Sequence, residues 1–430
     1  MNKRGIRAEE LYTKAVDCWK DNRSIMGNAF DVYSEALFQS IYEHSSMPIE
    51  ELNLRYSIYK NQLSDWIKNK KMFAVEDFIK DSELRLNKRK VETHSFYFGI
   101  HVKMSKTTDF IFKKEVNVGG VNIRRASYHE VASIPSNSYL KQLEEDYKKI
   151  GYKSESSLRL ILKDQSVYFK ATTESLDYIV SANKVMSAFA TLSAAASIAQ
   201  ERNTKVQYMG SDKIKSRKPI QNPRVLYWIE SKNGFDSILN EVGSEVNLSE
   251  ASLTFTGNEY KVKAYKRYLN ILRKANPSPV ERRIKEFVME FDRALNVNDP
   301  HLRMLSFWRC IELATRHSNG ATRSQKDIIR IISKFSTDDY WKEQGWLILN
   351  ARNRYVHEGT EFNHQSRDDY LGWLQDYTGA ALSQLMWMRS QKIGSMDAGE
   401  LDVFFNLYTQ SKSVFKVARK MSNALAKSSG

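Results

Sequence analysis

Cysteine is almost missing from this chain: Cys18 and Cys310 are the only two in 430 residues. Two thiols so far apart build neither a disulfide framework nor a cysteine-based metal site, and such usage fits a reducing cytoplasm. The eight histidines, among them His44, His94, His101, His129, His301, His317 and His364, show no metal-ligand spacing. Neither a metal nor another cofactor is expected. No GxxxxGK[ST] phosphate loop is present; Gly119-Gly120 instead stands where a tight turn needs positive φ. Long apolar runs are missing too. The most apolar stretch, Val185 to Ala199, is shorter than the ~20 residues that a membrane span requires. Its many small residues point to a closely packed buried helix. The opening MNKRGIRAEE lacks the apolar segment of a signal peptide, so no membrane partner is expected.

Apolar and basic residues are plentiful. The chain is 41% hydrophobic and 12% aromatic, and 66 Lys+Arg against 51 Asp+Glu give a net charge of +15. A chain of this length suggests about two to three domains. The charge biases its partners towards polyanions such as RNA, DNA or an anionic membrane surface; a soluble basic protein without a nucleic-acid role is equally compatible.

Hydrophobic periodicity divides the chain into an α+β arrangement, a mixed α/β body followed by an all-helical bundle. Residues 1–90 form a helical region, with stripes Ala8, Leu11, Ala15, Cys18 and Phe30, Tyr33, Leu37, Ile41, and a third run over 49–90. Residues 91–276 form the mixed domain, a candidate sensor or regulator. Here Phe96, Phe98, Ile100, Val102 and Met104 alternate as in a half-buried strand, VNVGGVNI reads as a hairpin, and Leu158, Leu160 and Leu162 alternate again. A long helix is expected over 173–202, with further strands at 205–209 and 224–230. Between the latter lies the basic stretch 213–224, either a track for an RNA backbone or a solvated loop.

The NPSP sequence at 276–279 marks the main boundary, because Pro277 and Pro279 cannot both lie inside a helix. Residues 277–430 then read as a helical domain with a C-terminal extension. Val280, Ile284, Phe287, Val288, Phe291 and Leu295 form one stripe. Leu302, Leu305, Trp308, Ile311 and Leu313 form a second, capped by Asp299 with Pro300 in the first turn. A third helix is expected over 337–357, and a fourth opening at a Ser366/Asp369 cap. Short connections imply antiparallel packing.

The third helix ends in NARNRYVHEG, residues 350–359. Arg352 and His357 differ by about 140° in azimuth on a straight helix, although Gly359 as a left-handed cap would loosen the last turn. Histidine exchanges protons near neutral pH, and arginine grips two phosphate oxygens at once. The pair suits phosphodiester chemistry on RNA, where the substrate's own 2′-OH is the nucleophile. Arg354 and Arg323 are candidate phosphate contacts. Tyr355 and Trp346 are either base-stacking residues or core. An alternative stays open: basic residues in a last helical turn are favourable simply against the helix dipole.

The segment Arg352-Asn353-Arg354-Tyr355-Val356-His357 resembles the Arg-x4-His motif of the HEPN superfamily, most of all its Apea-like branch. The upstream FWRCIELA, Phe307 to Ala314, resembles that family's second helix. The resemblance covers about residues 280–389. It implies a four-helix-type bundle that pairs with a second copy, the two motifs facing each other across one composite cleft. The activity implied is metal-independent endoribonuclease action on tRNA or mRNA, leaving a 2′,3′-cyclic phosphate (or 3′-phosphate) and a 5′-OH. By the same resemblance Arg352 and His357 are catalytic, Asn353 orients them or the phosphate, and Glu312 is an acidic helper. Many relatives are toxins or antiviral effectors, which implies a phage-derived trigger or an antitoxin as further partner. Competing expectations are a non-catalytic HEPN module that binds nucleotides or protein, and a dimerising scaffold.

Overall fold

The computed structural model describes residues 3–20, 27–42, 49–100, 115–127, 129–130, 167–201, 226–230, 234–239, 259–297, 299–334, 340–358, 364–391 and 396–409. The protein is α+β, with twelve helices and one six-stranded antiparallel sheet among these residues. Expected features at Val102 and Met104, Leu158 to Leu162, 205–209, 213–224 and Gly359 lie outside the described residues.

The first four helices, α1 (Lys3–Lys20), α2 (Gly27–Tyr42), α3 (Ile49–Lys68) and α4 (Val75–Asn87), carry a core of their own. Its centre is aromatic: Phe38, Tyr59, Trp66, Phe73 and Phe78 meet at centroid distances between 4.9 and 6.1 Å. The single run expected over 49–90 is broken after α3, where Lys70 adopts φ 50°.

The sheet comprises β1 (Glu92–Ile100), β2 (Val116–Val118), β3 (Val121–Ala126), β4 (Val167–Ser175), β5 (Leu226–Glu230) and β6 (Gly234–Leu239), in the order β2-β3-β4-β1-β5-β6. Gly119 and Gly120, at φ 58° and 80°, turn the expected hairpin from β2 to β3. β1 lies between β4 and β5, with Phe96 opposite both Ala171 and Trp228. That central position corrects one expectation. β1 is buried on both faces from Phe96 to Ile100 rather than half-buried, because Glu130 and Lys170 cover the Tyr97 side. Tyr97 donates to Glu130 Oε1 at 3.0 Å, and the Lys170 ammonium lies 5.4 Å from its ring centroid.

The opposite face is covered by α5 (Tyr178–Glu201). Phe98 stacks on Phe169 at 5.5 Å and meets Phe189 of α5 edge-on at 5.2 Å. Ala194, Ala195, Ala196 and Ala199 are all at 0% exposure, and a helix apolar all round belongs in a core. Small side chains let it approach the sheet on one side and, on the other, α6 (Glu259–Leu272) and α7 (Pro279–Asn296). The start expected at 173 is corrected: VYFKATTES is strand β4, rich in the β-branched and aromatic residues that fill a pleated surface.

The turn at 276–279 is where it was expected. Ser278 Oγ accepts from Glu281 N at 3.3 Å, Glu281 Oε2 accepts from Ser278 N at 3.2 Å, and Pro279 fills the first helical position. The hydrophobic core nevertheless runs unbroken across it, from Phe96 in the sheet to Phe405 near the C-terminal end. Beyond α7 the bundle consists of α8 (Pro300–Thr315), α9 (Gln325–Ser333), α10 (Tyr340–Glu358), α11 (His364–Ser390) and α12 (Ala398–Thr409). Asp299 caps α8 as expected, accepting from the backbone N–H groups of His301 and Leu302 at 2.9 and 2.8 Å. The third expected helix is preceded by α9, which periodicity had not singled out. Ser366 and Asp369 lie inside α11 rather than at its cap, since the helix begins at His364.

Candidate functional site

α10 carries the motif. Its first half is core: Gly345, Ile348, Leu349 and Ala351 are buried against α9 and α11. A Cβ on Gly345 would stand 2.4 Å from the Tyr377 hydroxyl and 2.9 Å from its Cζ, so only glycine lets α10 lie this close to α11. After Ala351 the character changes. Arg352, Asn353 and Tyr355 are half-buried, while Arg354, Val356, His357 and Glu358 are exposed. The helix end therefore projects from the bundle and presents its basic groups at the surface.

The half-buried part is a fixed polar cluster. Arg352 Nη1 donates to Asn353 Oδ1 at 3.0 Å, and Asn353 Nδ2 donates to Gln325 Oε1 at 3.3 Å. Gln325 Nε2 returns a longer contact of 3.5 Å to Asn353 Oδ1. Gln325 opens α9 directly after its cap, Ser324, so the N-terminus of one helix holds the amide on another. Arg352 Nε is buried with no acceptor among the described residues. A buried guanidinium N–H in that condition favours the arrival of an acceptor such as a phosphate oxygen.

α10 stays helical through Glu358, so the last turn is not loosened at His357. Arg352 and His357 point about 140° apart around the axis, with Cα atoms separated by roughly 8.7 Å on ideal geometry. One copy of the chain therefore holds the arginine inward and the histidine outward. His357 and Arg354 have no hydrogen-bond or ion-pair partner among the described residues.

Three expected site residues are placed differently. Arg323 is 5% exposed. Its Nε donates to Thr315 O at 2.6 Å, its Nη1 to Asn406 Oδ1 at 2.6 Å, and its Nη2 to Asp402 Oδ1 at 2.8 Å. Arg323 clamps α12 to α8 and has no donor face left for RNA. Burial lowers its pKa, and Asp402 opposes that shift. Glu312 accepts from the Trp308 indole at 2.7 Å. It also lies about 16 Å along α8 from His301, the residue of that helix that meets Tyr355, so it is not assembled with the motif. Tyr355 packs on the core and stacks on His301 at 4.6 Å with 11° between the planes; that face is closed to a base. Trp346 likewise packs against the core.

Gln325 and His301 were not singled out as site residues. Gln325 could have been found, because Ser324-Gln325-Lys326-Asp327 fits the [ST]-x-x-[DE] start signal before the apolar IIRII. His301 gives no sequence signal; its role arises from the packing of the first turn of α8 against the last turns of α10. No group of three or more His, Cys, Asp or Glu side chains among the described residues is placed to hold a metal ion, and no helix among them is long and apolar enough to cross a membrane. The chain matches no protein-family model, no curated protein and no solved structure.

Proposed function

We propose that this chain is a metal-independent endoribonuclease of the HEPN type that works as a homodimer. The observation that carries the reading is the polar cluster Arg352–Asn353–Gln325, which holds a guanidinium half-buried two residues before the exposed Arg354 and five before the exposed His357. A fixed guanidinium suits charge that develops on phosphorus oxygens, and an exposed imidazole suits proton transfer.

In the proposed reaction His357 takes the proton of the ribose 2′-OH. The 2′ oxygen bonds to phosphorus, the bond to the 5′ oxygen breaks, and that oxygen takes a proton from the partner's His357. The products are a 2′,3′-cyclic phosphate and a 5′-OH, and atoms and charge balance without a metal. Arg352 stabilises the non-bridging oxygens and Asn353 keeps its guanidinium in place. One copy offers a single His357 at this helix end, so a second copy is needed to supply the imidazolium that protonates the 5′ oxygen. Arg354 remains as a phosphate contact; Arg323, Tyr355 and Glu312 are withdrawn from the site. A cytoplasmic effector that cuts tRNA or mRNA in antiviral defence, released by a phage-derived trigger or restrained by an antitoxin, is the biological role proposed with it.

The test is incubation of purified protein with total tRNA and mRNA in EDTA, beside Arg352→Ala and His357→Ala. Cutting that persists in chelator and is lost in both variants supports the reading. Equal cleavage by all three, or none by the wild type as an isolated dimer and with phage lysate, contradicts it.

A further inference from the structure

A cleft of about 470 Å³ opens between the β2–β3 turn, the first turns of α5, the end of α6 and α7. Its volume lies within the ~300–1,000 Å³ of small-molecule sites. Four cations line it, Lys184, Arg273, Lys274 and Lys285, and no carboxylate does. Two of the four are engaged. Lys274 is tied to Glu281 at 2.7 and 2.8 Å, and Arg273 donates to Asn270 Oδ1 at 3.2 Å. The other two are free to act. Lys184 reaches only the carbonyl of Glu174 at 3.5 Å, a marginal contact, and Lys285 has no partner among the described residues.

The remaining wall is mixed: Asn183, Ser187 and Thr191 are polar, while Val180, Leu272 and Met289 are apolar, and a polarizable methionine suits the face of a planar ring. Cationic and apolar side chains together in one small cleft match a molecule that carries several phosphates on a flat heterocycle. We infer that the cleft binds a nucleoside polyphosphate, the phosphates on Lys184 and Lys285 and the base against Val180, Leu272 and Met289. The site is separate from α10 and does not depend on the ribonuclease reading.

Calorimetric titration of the full chain with magnesium-free ATP and GTP, pyrophosphate, adenosine and a single-stranded oligonucleotide tests it. A nucleoside triphosphate should bind at least about ten-fold more tightly than pyrophosphate or adenosine. Lys184→Gln with Lys285→Gln should weaken that binding by about ten-fold or more. Lys60→Gln with Lys266→Gln, which removes the same charge from exposed positions outside the cleft, should leave it unchanged. Circular dichroism and melting of the two double variants separate lost binding from lost folding. Retained affinity in the first variant, equal loss in both, pyrophosphate binding as tightly as the triphosphate, or preference for the oligonucleotide would each overturn the inference.

Discussion

The imidazole of His301 lies flat on the phenol ring of Tyr355, ring centroids 4.6 Å apart and planes 11° from parallel. This stack joins the first turn of α8 to the last turns of α10, two residues before His357. His301→Ala should destabilise the fold by about 1 kcal/mol and lower RNA cleavage, while His301→Phe, which keeps a ring on Tyr355, should recover most of both. Urea unfolding and initial cleavage rates check this; equal behaviour of the two variants would show that the stack does not support the site.

Gly345 sets the spacing between α10 and α11. Gly345→Ala places a methyl group 2.4 Å from the Tyr377 hydroxyl and should cost about 1–3 kcal/mol by overpacking. Tyr377→Phe removes the nearest clashing atom, so the double variant should be more stable than the sum of the two single changes predicts. Denaturation of all four proteins in a double-mutant cycle measures the coupling, and additive effects would contradict the packing account.

Asp402 holds the buried Arg323. Asp402→Ala should destabilise the protein by about 3 kcal/mol, because it leaves a buried charge without its partner. Burial raises the Asp402 carboxyl, but the Ser318 backbone and hydroxyl and the Arg323 guanidinium more than reverse this and hold it below the usual range. A lowered carboxylate pKa adds stability above the unfolded value of about 3.9 that is lost as pH falls through the folded one. Acid denaturation should therefore begin at higher pH in Ser318→Ala, which removes one of those hydrogen bonds, than in the wild type.

His94 runs the opposite way. It is buried, its Nδ1 meets Ser181 Oγ at 2.9 Å, and burial lowers its pKa, with Glu92 and Asp177 opposing. The fold thus prefers the neutral ring. Its contribution is complete above the unfolded value of about 6.5 and is lost as pH falls towards the lowered one. Urea midpoints at pH 7.5 and 5.5 (about one unit either side of that value) should differ less in His94→Gln than in the wild type; an unchanged difference would show that another group titrates.

Much of the scaffold was legible because its signals are local. The Ser278–Glu281 box, the Asp299 cap and the paired glycines at 119–120 each act within a few residues. β4 was overlooked because Thr172 and Thr173 lead towards a helical stretch, although VYFKATT carries a clear strand composition. The double-sided burial of β1 depends on which strands flank it, and no spacing within 92–100 encodes that. The site divides the same way. Arg352, Asn353 and His357 were found as one motif on one helix. Arg323 was misplaced because a guanidinium in a polar connection between helices looks alike in sequence whether it faces solvent or Asp402. Gln325 and His301 join the motif only through helix packing.

The most direct measurement of the central claim uses an RNA substrate cut at one mapped linkage, compared with the same strand carrying a single 2′-deoxy sugar immediately 5′ of that phosphate. The account predicts that the wild-type protein in EDTA leaves a 2′,3′-cyclic phosphate and a 5′-OH on the first substrate and leaves the second uncut at that linkage. Cleavage of the deoxy linkage at an undiminished rate would contradict it.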